Sequence, residues 1–115
     1  MMNGTEKRRH RRVASTNLLN YVCMDETSKP FTQGMGRTLN VSESGILLET
    51  HVPIEPETLV SLTIGIGEDL VEITGKVVYL KKSGEDLYEA GIDFLTYNDK
   101  ELSILRKFIE AFQKG

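Results

Sequence analysis

The chain has 115 residues, 39% apolar and 27% charged, the size and balance of one soluble globular domain able to bury a real core. Its formal charge is −3, yet Lys7, Arg8, Arg9, Arg11 and Arg12 supply five of the 14 cationic residues, so that from Val13 onward 9 cationic face 16 anionic residues. A duplex-binding protein spreads cations over a face or groove to collect many phosphate contacts; this acidic body excludes a nucleic acid polymer as the expected partner.

A compact cationic cluster instead suits a small anionic ligand or a protein surface. No apolar run approaches the ~20 residues of a membrane span, and no apolar stretch follows the basic N-terminus as in a signal peptide. A cytoplasmic protein without membrane insertion is therefore expected. The single Cys23 cannot form an intramolecular disulfide, and with no His/Cys cluster no metal is expected.

In chain order, residues 1–12 form a basic segment whose five cations repel one another and bury little, so it is expected to be flexible. Residues 13–115 are expected to form the folded domain. "VASTNLLNYVCM" (13–24) is rich in β-formers and predicts a first strand, with Cys23 as a small buried residue on it. "MDETSKPFTQGMG" (24–36) collects turn residues and predicts a loop. "RTLNV" and "GILLET" are short strands joined through Ser42 to Gly45. "TLVSLTIGI" alternates as a half-buried strand through Val60, Leu62, Ile64 and Ile66. "LVEITGKVVYLKK" repeats the pattern with Val71, Ile73, Val77 and Tyr79 on one face, and Gly75 is placed for a bulge. "LYEAGIDFL" adds Tyr88, Ala90, Ile92 and Phe94.

The period then changes. "NDKELSILRKFIEAF" puts Leu102, Leu105, Phe108, Ile109 and Phe112 on one helical face, and Asn98 with Glu101 makes a capping box. About six short strands and one amphipathic helix, over about 98–113, predict a mainly β protein: a small antiparallel β-barrel with a C-terminal α-helix over one mouth or side.

Enzymatic readings fail on spacing. His10 and His51 have no Ser, Cys or acid arranged for a triad, and His10 among arginines suits packing or stacking. Gly65 and Gly67 in "IGIGED" lack the third glycine and following helix of a dinucleotide fingerprint. The carboxylate pairs Glu68/Asp69 and Glu85/Asp86 fall in turns and read as solvated. No catalytic residue is assigned.

Two motifs remain. In "EKRRHRRVAS" five of six consecutive residues from Lys7 to Arg12 are cationic, and Arg8 and Arg12 stand four apart. "NVSESG" (40–45) places Asn40 and Ser42 two apart, which in extended chain points both side chains to one face. Gly45 can take a positive φ or admit a ligand close to the backbone. Taken alone, the hexapeptide reads most simply as a polar turn between strands.

Together, RxxxR at Arg8 and Arg12 and [D/N]xSxxG at Asn40, Ser42 and Gly45, with 27 residues between Arg12 and Asn40, resemble the signature of the PilZ domain, a bacterial receptor module for cyclic di-GMP. "RVAS", "SGILLET" and "AGIDFL" are similar to further blocks of that family, so the resemblance covers nearly the whole chain. Two positions depart: Arg11 stands where many members have Pro, and Asn40 replaces the commoner Asp. The resemblance implies a six-stranded barrel of split-barrel, Greek-key type. It also implies that Arg8 and Arg12 bind guanine bases and phosphates, for which guanidinium is chemically apt. By the same resemblance Arg9 assists through phosphate contact or stacking, and Asn40, Ser42 and Gly45 complete the ligand site from the barrel. Lys7, just before RxxxR, occupies the position that bears on whether one ligand or an intercalated pair binds. An Asp accepts from both N1–H and N2–H of guanine, whereas Asn40 offers one carbonyl oxygen.

The function implied is a cyclic di-GMP receptor or adaptor in which ligand binding orders the N-terminal arginine segment over the barrel and alters contact with a downstream protein in motility, exopolysaccharide or biofilm control. Two other readings compete. One is a PilZ-like protein-interaction adaptor without nucleotide binding. The other is a small barrel for single-stranded nucleic acid, which calls for aromatics interleaved with basic residues, a pattern this sequence lacks.

Overall fold

A computed structural model describes residues 18–114 of the chain. Six strands and one helix follow in order: β1 (Leu18–Met24), β2 (Pro30–Val41), β3 (Gly45–Thr50), β4 (Leu59–Ile66), β5 (Asp69–Gly84), β6 (Leu87–Thr96) and α1 (Asp99–Lys114). Every strand pairing is antiparallel, and the sheet closes as β1-β2-β3-β6-β5-β4, with β4 returning to pair β1. The expected six-stranded barrel with a C-terminal helix is therefore the architecture found. Closure leaves no free sheet edge.

Alternation fills the interior. Leu19, Tyr21 and Cys23 point inward from β1, Val60, Leu62 and Ile64 from β4, and Ile46 and Leu48 from β3. Burial raises the Cys23 thiol above its ordinary pKa, which makes it a poor nucleophile.

The segment 24–36 is not a loop. Only residues 25–29 turn, and β2 begins at Pro30 and pairs with β1 from Met24↔Pro30 to Leu18↔Arg37. The turn is shortened by Asp25, whose Oδ1 accepts from the Thr27 N–H and hydroxyl and from the Lys29 N–H at 2.8–2.9 Å. Those bonds, the one from Lys29 foremost, hold the Asp25 carboxyl below its ordinary pKa. A Cβ at Gly36 would lie 2.6 Å from Leu48 Cγ, so a residue that reads as a turn signal is in fact a packing position inside the barrel.

Two bulges shift the inward set on β5, with Val78 and Ser83 as the extra residues, and a third irregularity has its extra residue, Leu95, on β6. Gly75, expected to carry a bulge, stays in register with β4 and lies opposite the one on β6. The bulge at Val78 ends the alternation early: Val77 is buried, Val78 and Tyr79 are both exposed, and Leu80 packs against the core. Tyr79, expected on the inner face, stands on the outside of the barrel because Val78 is the extra residue.

On α1 the buried side chains are Ile104, Leu105 and Phe108, with Ile109 and Phe112 packed against the same core. Ile104 joins the expected face and Leu102 lies at its margin. The capping box forms as expected: the Glu101 N–H donates to Asn98 Oδ1 at 2.8 Å and the Asn98 N–H to Glu101 Oε1 at 2.9 Å.

The pairing registers put the start of β1, the β2–β3 and β4–β5 turns and the end of β6 at one end of the barrel. Helix α1 crosses that end against β4 and β5. Arg106 reaches Glu43 in the β2–β3 turn at 3.0 Å, and Lys107 reaches Asp69 at the start of β5 at 3.4 Å. Asp69 is exposed, as expected of a solvated carboxylate, and also pairs with the helix.

Candidate functional site

The [D/N]xSxxG residues sit at the helix-covered end of the barrel, and a bulge determines which way they face. In β2, Gly36 and Thr38 point inward. Unbroken alternation would send Asn40 and Ser42 inward as well. The β2–β3 register skips Leu39, pairing Thr38 with Leu48 and Asn40 with Leu47. Beyond that extra residue the parity reverses: Val41 is buried, and Asn40 and Ser42 both face solvent. They share a face, as their spacing requires, and it is the outer one because of Leu39.

Ser42 to Ser44 form a tight, internally bonded turn. The Ser42 N–H donates to the Gly45 carbonyl at 2.9 Å, the Ser44 N–H donates to Ser42 Oγ at 3.2 Å, and the two serine hydroxyls are 3.0 Å apart. The turn is also held from outside. The Tyr97 hydroxyl donates to the Glu43 carbonyl at 2.7 Å, and the Phe94 N–H donates to the Ser44 carbonyl at 2.9 Å. Arg106 pairs with the Glu43 carboxylate, which in turn raises the guanidinium's pKa. Phe94 and Tyr97 meet edge to face at 6.4 Å.

Gly45 is not a positive-φ residue; among the described glycines only Gly67, in the β4–β5 turn, has that conformation. Gly45 is required by close approach, since a Cβ there would strike the Ile92 carbonyl oxygen of β6. Positive φ is thus not the reason for a glycine at 45; the close approach found there is that of the neighbouring strand.

The outer surface beside the turn is a shallow trough of about 230 Å³. Across it, Asn40 lies beside Leu47, Leu47 beside Gly91, and Gly91 beside Tyr79. One step along the strands, Gly45 lies beside Asp93 and Asp93 beside Lys76. Leu47 and the two glycines form the floor, Asn40 and Ser42 one wall, and Val78 and Tyr79 the other. The Tyr79 ring leans over Gly91, where any Cβ would collide with it.

Tyr79, Leu47 and Asp93 had no motif to mark them. An alternating strand pattern places Tyr79 in the core, and only the Val77/Tyr79 bulge brings it outside; the outward parity of "AGIDFL" was the available signal for Asp93. The expected ligand residues Arg8, Arg9 and Arg12 lie outside the described residues. Among the described residues, no group of three His, Cys, Asp or Glu side chains is arranged to hold a metal ion, and no helix is long and apolar enough to cross a membrane.

Comparison with known proteins places this geometry. The fold is similar to the PilZ domain of CeSA from a cellulose-synthesizing bacterium, at 9% identity and a TM-score of 0.58, covering 84% of this chain and 93% of that one. It is similar to the PilZ domain of Escherichia coli YcgR, solved with c-di-GMP, at 10% identity and a TM-score of 0.62, covering 84% and 82%. The c-di-GMP complex of K. pneumonia MrkH is similar at 14% identity and a TM-score of 0.59, with 86% of this chain matching half of that longer one. No curated protein matches the chain in sequence. At these identities the structures establish the fold. The PilZ domain family model matches residues 6–111, which take in both sequence motifs and the barrel, and the chain belongs to the PilZ domain family.

Proposed function

We propose that this chain is a cyclic di-GMP receptor whose site is completed by the N-terminal arginine segment. The observation that carries the proposal is the outward turn of Asn40 and Ser42 into a trough floored by Leu47, Gly45 and Gly91, at the end of the barrel where β1 starts. Leu18 pairs with Arg37, three residues before Asn40, or about 10 Å along the strand. Six residues from Arg12 to Leu18 span up to about 20 Å, so Arg8 and Arg12 are within reach of the trough. The YcgR PilZ domain solved with c-di-GMP and the MrkH complex with c-di-GMP lend support.

In this reading Arg8 and Arg12 clamp guanine O6/N7 and phosphate oxygens, each good bidentate contact contributing about 1–3 kcal/mol of discrimination. Arg9 assists at phosphate. Asn40 and Ser42 donate from the barrel, Gly45 leaves room, and Tyr79 offers an aromatic face for a base. Ligand charge offsets the mutual repulsion of the cationic segment and orders it across the trough. That new surface engages a downstream protein in motility, exopolysaccharide or biofilm control.

Calorimetric titration with cyclic di-GMP tests the site. Saturable heat at micromolar protein, weakened by Arg12→Ala and by Ser42→Ala, is expected. Absence of heat would remove the receptor reading. Trypsin tests the ordering: cleavage after Arg8, Arg9, Arg11 and Arg12 is expected to slow when ligand is present, and unchanged cleavage with bound ligand would remove the ordering step.

A further inference from the structure

The trough contains an acceptor that the motif itself does not supply. Asn40 Oδ1 accepts the N–H of Val41 at 3.0 Å, so one of the two lone pairs of its single acceptor oxygen is taken by its own backbone. What remains is one lone pair and the amide NH2, a donor. A donor serves guanine O6 or N7, or a phosphate oxygen, but cannot take the N1–H and N2–H of the Watson–Crick edge. A site that selects guanine through that edge needs a second acceptor.

Asp93 stands where such an acceptor is needed. Its neighbour Ile92 is buried and Asp93 is exposed, so its side chain is on the outer face, lining the same trough. On β3 it is paired with Gly45, which has no side chain to cover it. On β5 it is paired with Lys76, whose ammonium pairs with Glu57 at 3.4 Å. Among the described residues the Asp93 carboxylate makes no ion pair or side-chain hydrogen bond. Asn40 on β2 and Asp93 on β6 are two strand spacings apart and offset by two residues along the strand, about 12 Å in all, which is room for one base between a donor on one side and an acceptor pair on the other.

We infer that Asp93 is the specificity-determining residue of this site, its two carboxylate oxygens accepting N1–H and N2–H of one guanine. This rests on the cyclic di-GMP reading above. Two parallel bonds to one carboxylate select guanine geometrically. Adenine presents a lone pair at N1 and has no N2 amine, so the same carboxylate rejects it. Repulsion between Asp93 and phosphate sets the ligand's direction: base toward β6, phosphates toward Ser42 and the arginine segment.

The test compares wild type and Asp93→Asn by calorimetry with cyclic di-GMP and cyclic di-IMP, whose hypoxanthine base lacks only the N2 amine. Wild type is expected to prefer cyclic di-GMP by about tenfold or more. Asp93→Asn is expected to weaken cyclic di-GMP binding and bring the two affinities to within about twofold, with an unchanged melting midpoint. If the variant keeps the wild-type preference, or loses affinity for both ligands equally, the role of Asp93 is overturned while the receptor reading stands. If wild type binds neither, the receptor reading falls and Asp93's role with it.

Discussion

Leu39 is the residue on which the site turns. It contributes no chemistry to a ligand; as the extra residue in β2 it reverses which side chains face out. The same local irregularity leaves a cost beside it. Thr38 is 1% exposed, and among the described residues its Oγ1 has no hydrogen-bond partner. An unpaired buried hydroxyl costs about 1–3 kcal/mol, so Thr38→Val, close in shape, should raise stability by up to that amount in urea denaturation while Asn40 and Ser42 keep their outward face. Across the trough, Gly91 decides where Tyr79 can lie. Gly91→Ala should push the Tyr79 ring off the floor, and loss of a base-stacking surface worth about 1–3 kcal/mol predicts roughly tenfold weaker cyclic di-GMP binding. Because Tyr79 is already half exposed, the melting temperature should move little.

At the scale of elements, the β2–β3 turn and α1 behave as one unit. Tyr97, in the link between β6 and α1, and Arg106, on the helix, both hold Glu43, the central residue of the Ser42–Ser44 turn. Tyr97→Phe removes the hydroxyl donor and should lower stability by about 0.5–1.5 kcal/mol. It should also weaken cyclic di-GMP binding although Tyr97 is not expected to touch the ligand, and paired denaturation and calorimetry separate the two effects. The helix has its own start signal in the reciprocal bonds of Asn98 and Glu101. Asn98→Ala should cost about 1 kcal/mol, seen as an earlier loss of helical circular dichroism on heating. The capping box was legible because its partners are three residues apart and the bonds are local. Arg106–Glu43, whose partners are 63 positions apart, has no local sequence trace.

At the scale of the molecule, one core unites the barrel and the helix. Phe108 is 1% exposed and clusters with barrel residues such as Leu62, Ile73 and Ile92. Truncating a large buried aromatic costs about 3–5 kcal/mol, so Phe108→Ala should lower the denaturation midpoint sharply. Since α1 also holds the Glu43 turn, that loss should propagate to the site, and the variant should bind cyclic di-GMP poorly even under conditions where its far-ultraviolet spectrum remains that of a β protein.

What the sequence determined by itself was whatever depends on neighbours in the chain. The strand alternation of β4 and β6, the period change into α1, the Asn98 cap and the co-facing of Asn40 with Ser42 all follow from spacings of two to four residues. The two motifs together were specific enough to indicate the family. What only the tertiary structure decided depends on pairing between distant strands. The glycines and Pro30 of 30–36 read as turn chemistry, yet pairing with β1 and the packing of Leu48 over Gly36 make them strand. The bulges at Leu39 and Val78 are invisible to a period-two pattern, because an extra residue is defined only against a partner strand. Those two bulges turn Asn40 and Ser42 outward and bring Tyr79 to face them, with Asp93 beside Gly45, and so convert a polar hexapeptide into one wall of a trough.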